Sequence, residues 1–265
     1  MNDRQRSIRH ESRLRQLLVL AVEQPSPRLR RITLGGADLA GFASAGHDDH
    51  VKLFFPYDDG QCPVRGADGR LAFAEGVRPP ARDYTPRRYD AARQELTIDF
   101  VLHEGGPATE WAARARPGDN LLVGGPRGSR ISGNDFDWYL LIGDETGLPA
   151  IGRRLEELSG GARAIVVAEV DGAADRQVLD SRARVEVHWV HRHGAAPGTP
   201  GLLLRAVAAL ELPEGEGHAW VAAESAVARA LRRHLVDVAG LAGAQVRAAG
   251  YWKLGAAASH ERHED

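Results

Sequence analysis

Hydrophobic and polar positions change their rhythm midway along the chain. In the first half the apolar runs are short: "RLRQLLVLAV", "RLRRITLGG" and "HVKLFFP". The stretch "ELTIDFVLH" alternates cleanly and puts Leu96, Ile98, Phe100 and Leu102 on one face, as a half-buried strand requires. Gly, Pro and Asp clusters such as "GADGR" separate these runs. One short helix is predicted, "GPATEWAARARPG", with Pro107 in its first turn. Strands without long intervening helices predict an antiparallel barrel or sandwich, and closure into a barrel is favoured because it removes exposed edges.

The second half alternates strand and helix patterns. "DWYLLIGD", "RAIVVAEV", "VEVHWVHR", "HAWVAAE" and "QVRAAGYWKLG" read as five strands. "TGLPAIGRRLEEL" sets Leu148, Ile151, Leu155 and Leu158 on one helical stripe, and "GLLLRAVAALEL" is a second helix. "SAVARALRRHLVDV" is a third, with Ser225 as the expected N-cap and a stripe of Val227, Leu231, His234, Leu235 and Val238. Such alternation predicts a parallel sheet covered on both faces. The boundary falls near "RISGNDFD", which gives domains 1–132 and 133–265, and "AAASHERHED" reads as a solvated tail.

Composition narrows the function classes. The formal net charge of −2 over 265 residues argues against a nucleic-acid binder. The charged start "MNDRQRSIRHESR" lacks the apolar core of a secretory signal, and no apolar run is long enough for a membrane span, so a soluble cytoplasmic protein is expected. A lone cysteine, Cys62, excludes a disulfide framework or a cysteine-ligated cluster within the chain. Of 34 Lys plus Arg, only Lys52 and Lys253 are lysines. In "HWVHRH", His188 and His191 fall on opposite faces of a strand, which opposes a metal site there.

Three motifs carry candidate chemistry. In "RDYT", Arg82 and Tyr84 are two apart on a strand and face the same way. A guanidinium there can pair a pyrophosphate while the tyrosine stacks on a flat ring, with Thr85 reaching the ring's reactive edge. In "GGPATEW", Gly105 and Gly106 run into Pro107 at a helix start, leaving free amides for an anion, with the Thr109 hydroxyl beside them. The third, "LLIGDETGLPAIG", has the strand, glycine turn and helix of a dinucleotide site, yet Asp144 and Glu145 on the turn would repel a pyrophosphate.

Taken in order, "HVKLFFP", "RDYTPR", "DFVLHEGGPATEWA", "GPRG", "GDETGLPAI", "WVAAESAVARALRRHL" and "GYWKLG" resemble the siderophore-interacting proteins, flavin-dependent ferric-siderophore reductases of the ferredoxin-reductase superfamily. The resemblance implies an FAD-binding antiparallel β-barrel followed by an α/β parallel-sheet domain for NAD(P)H. It adds Arg87, Asp99, Val101, His103 and Ala108 to the FAD-binding set of Arg82, Tyr84, Thr85, Gly105, Gly106, Pro107 and Thr109. It sets the turn Gly143, Asp144, Glu145 and Thr146 against the nicotinamide half of the donor, with the carboxylates bonding hydroxyls or capping the helix. Glu224 would approach the nicotinamide, or simply stand at a helix N-terminus. Many family members carry Ala where this chain has Gly147, so little consequence is expected there. It also gives the lysines a role: Lys52, Arg130 and Lys253 would form a cationic mouth at the domain interface for an anionic ferric siderophore.

The reading is an NAD(P)H-dependent ferric-siderophore reductase that uses bound FAD and releases Fe(II) in the cytoplasm, with no side chain acting as acid, base or nucleophile and no protein-bound metal. One alternative is a flavin reductase of the same fold serving another acceptor, such as a quinone or a redox partner protein. Another is a siderophore-binding or iron-handover protein without redox activity. NADH against NADPH stays open, although the charge of Glu169, at the end of the second strand of the α/β half, disfavours a 2′-phosphate.

Overall fold

The computed structural model describes residues 5–57, 60–72, 77–256 and 261–263. The chain divides into two compact units, Met1–Ser132 and Gly133–Asp265. Among the described residues no helix is long and apolar enough to cross a membrane.

The first unit holds β1 (Gln5–Arg9), β2 (Leu14–Ser26), β3 (Leu29–Gly35), β4 (Val51–Phe54), β5 (Val64–Arg65), β6 (Leu71–Ala72), β7 (Ala81–Tyr84), β8 (Pro86–Asp90), β9 (Glu95–Val101), β10 (Asn120–Gly124) and β11 (Gly128–Ser132). Its one α-helix among the described residues is α1 (Pro107–Arg114). Seven strands form an antiparallel half-barrel in the order β7-β4-β10-β2-β3-β9-β8, while β1 pairs with β11 and β5 with β6. The alternating positions Leu96, Ile98 and Phe100 are fully buried and join Leu17, Ile32, Leu34, Val51 and Leu53 in one core that α1 covers with Ala108, Trp111 and Ala112. The sheet's two edge strands, β7 and β8, are consecutive in the chain and joined by Thr85 alone. Closure is therefore covalent rather than hydrogen-bonded, and Pro86, with no N–H, opens the new strand.

The second unit contains β12 (Trp138–Gly143), β13 (Arg163–Val170), β14 (Arg184–His191), β15 (Gly217–Glu224), β16 (Val246–Trp252) and β17 (Glu261–His263), with α2 (Leu148–Glu157), α3 (Leu202–Ala208) and α4 (Ser225–Arg233). The sheet order is β14-β13-β12-β15-β16-β17, and the first five strands are parallel. Both faces are covered. Trp138, Leu140 and Ile142 point into a core shared with α3 and α4, and Tyr139 and Leu141 point into another with α2. The order reverses between β12 and β15, and the crevice at the carboxyl ends there is where open α/β sheets bind ligands.

Three local expectations change. Glu224, not Ser225, caps α4: its carboxylate accepts from the Ala226 and Val227 amides at 2.6 and 3.1 Å. Past Arg233 the helix widens to a π-turn over His234–Val238, closed by the Ala239 amide on the His234 carbonyl at 2.9 Å. The wider turn rotates Val238 off the apolar stripe, leaving it 73% exposed. In the tail read as solvated, Glu261–His263 pairs antiparallel with β16, whereas 257–260 and 264–265 lie outside the described residues.

A fourth concerns Gly147. A Cβ added there would come within 2.7 Å of the Ala222 carbonyl oxygen, so this residue is glycine because the start of α2 packs on β15. Gly147→Ala is expected to destabilise the chain by about 1–3 kcal/mol. Urea unfolding of variant and parent checks it. Equal midpoints would mean that the turn has slack.

Candidate functional site

In the first unit, register settles the RDYT motif. Cross-strand pairs Leu53–Arg82 and Val51–Tyr84 put both side chains on the face that carries buried Leu53 and Val51, while Lys52 and Asp83 share the opposite face. The Arg82 guanidinium meets no carboxylate among the described residues, and its Nη1 donates only to the Ala81 carbonyl at 2.8 Å. Tyr84 is half-buried, its ring 4.6 Å from that of Phe100. Burial pushes its phenol pKa up, against the pull of the Arg82 charge, so it stays a neutral aromatic surface. Thr85 is buried at the seam between β7 and β8 and makes no hydrogen bond with another described residue.

The glycine motif stands on the other side of the same ring. Phe100 lies 5.6 Å from Trp111 of α1, so Tyr84 and α1 flank one phenylalanine. Gly105 and Gly106 adopt φ of 70° and 99°, and a Cβ on Gly105 would meet open space. The helix starts at Pro107 with no side-chain cap, so its first amides are left for an anion. Thr109 is buried, its hydroxyl 3.5 Å from the Val101 carbonyl, while Ala108 faces the core. His103 is exposed, with Nδ1 3.2 Å from the Glu104 carbonyl. Arg87 is half-buried on β8. Asp99 behaves differently. Both its oxygens accept from the Arg31 fork, at 2.7 and 2.8 Å, so its carboxylate ties β9 to β3. A cationic fork without a counter-charge, an open glycine turn and an uncapped helix start suit a flavin dinucleotide's pyrophosphate.

In the second unit the GDETG turn sits at the carboxyl end of β12, beside the point where the strand order reverses. Its carboxylates are engaged within the chain. Asp144 is buried and accepts four hydrogen bonds: from the Thr146 amide (2.9 Å) and hydroxyl (2.5 Å), the Glu224 amide (3.1 Å) and the Trp252 indole (2.8 Å). Glu145 takes a bidentate pair from Arg192 at 2.6 and 2.7 Å. Glu169 is 2% exposed and faces the same guanidinium at 3.4 Å. Glu224 spends one oxygen on the α4 amides and the other on the Leu254 amide at 3.2 Å. Of the two roles expected for Asp144 and Glu145, the hydrogen bonds in the structure are all internal ones, to Thr146, Glu224, Trp252 and Arg192. Glu169, the acid expected to disfavour a 2′-phosphate, is buried and turned onto that arginine.

The three candidate siderophore cations lie on separate elements. Lys52 Nζ meets Asp83 Oδ1 at 2.7 Å, an exposed pair worth at most about 1 kcal/mol. Arg130 is half-buried on β11, next to Ser129, whose hydroxyl donates to buried Asp49 at 2.5 Å. Lys253 is exposed just beyond β16.

Comparison with known proteins identifies the family. A family model described as Siderophore-interacting FAD-binding domain matches residues 18–130, and one described as Siderophore-interacting protein matches residues 136–255. The chain is 39% identical over 249 residues to the NADPH-dependent ferric-chelate reductase of Escherichia coli, covering 92% of this chain and 95% of that protein. It is 34% identical to the ferric vibriobactin reductase of Vibrio cholerae, covering 90% of each. A siderophore utilization protein from T. fusca superimposes with a TM-score of 0.89 at 41% identity, over 96% of this chain and 98% of that one. The chain belongs to the siderophore-interacting protein family. The family's fold is ferredoxin-reductase-like, and flavoproteins such as the ferredoxin reductase of carbazole 1,9a-dioxygenase share it at a TM-score of 0.62 and 15% identity, a likeness of fold alone.

Within this family member, the residues that sequence reasoning missed are Arg192, Trp252 and Arg31. Arg192 is buried inside "HWVHRH", where it looks like one more surface cation. Its signal was the strand's end: a cation two residues from Val190 at the edge where four acids converge.

Burial, reinforced by Asp144 and opposed by Arg192, raises the Glu169 pKa from the ordinary 4.5 to about 7. The native state then holds a proton that the unfolded chain has released, so stability falls as pH rises through that window, by on the order of 2–3 kcal/mol. Glu169→Gln is expected to flatten this fall. Urea unfolding of the whole chain at pH 5 and pH 8 measures it, and parallel losses in variant and parent would assign the pH dependence elsewhere.

Proposed function

We propose that the protein is an FAD-dependent ferric-siderophore reductase of the cytoplasm that draws its electrons from NAD(P)H. The observation that carries this reading is the pair of motifs around Phe100: Tyr84 with the unpaired Arg82 fork on one side, and the open Gly105–Gly106 turn into α1 on the other. Arg82 and the α1 amides would hold the pyrophosphate, Tyr84 and Thr85 the ring system, and the Val101, His103 and Ala108 stretch the path between them. When bound, FAD supplies the chemistry, taking a hydride from the nicotinamide and delivering single electrons to Fe(III) held by siderophore oxygens. The chain's residues bind and orient, and none needs to act as acid, base or nucleophile. The Gly143–Thr146 turn serves the nicotinamide nucleotide through backbone and shape, since its carboxylates are engaged internally. Lys52, Arg130 and Lys253 are proposed to receive the anionic siderophore. For Lys52 the weak, exposed pair with Asp83 is readily exchanged for a ligand with several oxyanions.

Anaerobic titration tests the reading. The purified protein should carry flavin, bleach with NADH or NADPH, and regain its colour with a ferric siderophore. A flavin that bleaches but ignores ferric siderophores would instead mark a reductase for another acceptor.

Because Tyr84 also packs on Phe100, the sharper probe of the flavin site is Arg82→Met, which keeps the stem and removes the fork. It should weaken FAD binding roughly 10- to 100-fold and riboflavin binding far less, since only FAD carries the pyrophosphate. Fluorescence titration of apoprotein with both ligands decides, and equal losses would assign Arg82 to the fold. Lys52→Ala with Lys253→Ala should leave bleaching by the nucleotide unchanged and slow reoxidation by ferric siderophore roughly 10-fold or more, with the effect shrinking as salt rises. Reoxidation at parental speed in low salt would remove the lysines from the site.

A further inference from the structure

A second cluster, of Arg176, His191 and His193, stands at the carboxyl edge of the sheet. His191 is the last residue of the edge strand β14. Arg176 follows the short turn Ala173–Asp175 after β13, and its Nε donates to His191 Nε2 at 3.0 Å. The His193 ring lies perpendicular to that of His191, with centroids 5.5 Å apart. Arg176 and His193 are exposed and His191 is half-buried. No carboxylate pairs with any of the three side chains among the described residues.

The arrangement is held in place at a cost. His193 has φ of 52°, a left-handed conformation that non-glycine residues rarely take. Its amide bonds the Asp171 carbonyl at 2.9 Å, the Gly194 amide bonds Asp171 Oδ1 at 3.0 Å, and the Arg192 amide bonds the Val170 carbonyl at 3.0 Å. Partial desolvation, then the neighbouring Arg176 and His193, hold the His191 pKa below its ordinary value. Three nitrogen donors that repel one another as they charge, gathered without a counter-ion, suit an added anion.

The neighbouring strand indicates which anion. In dinucleotide folds an acid near the end of the second strand bonds the ribose 2′-hydroxyl of NAD, whereas an arginine nearby accommodates the 2′-phosphate of NADP. Here the acid in that region, Glu169, is buried and turned onto Arg192, and the exposed arginine at the edge is Arg176. We infer that Arg176, His191 and His193 form the subsite for the 2′-phosphate of NADPH, so that the enzyme takes NADPH in preference to NADH. The inference rests on the reductase reading of the second unit and adds the group that selects the donor. The Arg176 guanidinium retains N–H groups beyond the one on His191, and His191, neutral when Nε2 accepts, carries its proton on Nδ1. Together with His193 they can surround a dianionic phosphomonoester.

Arg176→Ala tests it, with two readouts on the intact protein. Calorimetric titration with adenosine 2′,5′-bisphosphate reads the subsite without any turnover, and the expected loss of affinity is roughly 10- to 100-fold. In steady state kcat/KM for NADPH should fall by a similar factor while that for NADH stays within about twofold. His191→Ala combined with Arg176→Ala should deepen the NADPH loss alone. Unchanged binding of the bisphosphate, or equal losses with both nucleotides, would overturn the assignment. If the parent protein reduces its flavin with neither nucleotide, the reductase reading fails, and the bisphosphate titration still judges the subsite by itself.

Discussion

The buried pair between Glu145 and Arg192 is the contact on which the carboxyl edge of the second unit's sheet depends. The ends of three strands, β12, β13 and β15, bring Asp144, Glu145, Glu169 and Glu224 to one edge, and the buried Arg192 beyond β14 answers two of them, Glu145 and Glu169. Each carboxylate is satisfied differently: Asp144 by four donors, Glu145 by the guanidinium fork, Glu224 by helix amides, and Glu169 by Arg192 and a raised pKa. An unpaired buried carboxylate costs several kcal/mol, so these assignments are coupled. The glycines of the turn are spent as well, since Gly143 and Gly147 let α2 approach the Ala222 carbonyl. What resembles a phosphate loop is a joint, in which the chain ties β12, β14, β15 and the end of β16 together.

The first unit shows the complementary design. Asp99 is spent on Arg31, but Arg82 is left without a carboxylate, and α1 begins without a side-chain cap. Unsatisfied cationic and N–H groups around one aromatic core are affordable when an anionic, flat cofactor joins the fold. The contrast separates two kinds of conspicuous residue: those whose hydrogen bonds are complete within the chain position the backbone, and those left incomplete face a ligand. By that criterion Arg82, Thr85 and the Arg176–His191 pair are the groups proposed for ligands, whereas Asp144, Glu145, Asp99 and Glu224 hold the backbone.

Period and punctuation made the architecture legible. The alternation at Leu96, Ile98 and Phe100 and the stripe at Leu148, Ile151 and Leu155 report which side of an element is buried, and burial is what those patterns encode. Partner choice was not legible, because it depends on residues brought together from far along the chain. Arg192 reads as one cation among 34 Lys plus Arg, and its partner lies 47 residues away. Lys52 reads as a free charge, yet its neighbour across the ladder is Asp83. Val238 left its stripe because one extra residue entered a helical turn, a change of period that composition does not announce. Gly147 read as replaceable, and only the distance to Ala222 shows otherwise.

Glu145→Gln, followed by both unfolding and nucleotide titration, separates scaffold from ligand most directly. It keeps the shape of the side chain and removes the charge that Arg192 needs. With Glu145 as scaffold, stability falls by about 2–4 kcal/mol and the affinity for NADPH and NADH under native conditions stays within about threefold. Unchanged stability with a collapse of nucleotide affinity would instead make the Glu145 carboxylate a ligand group.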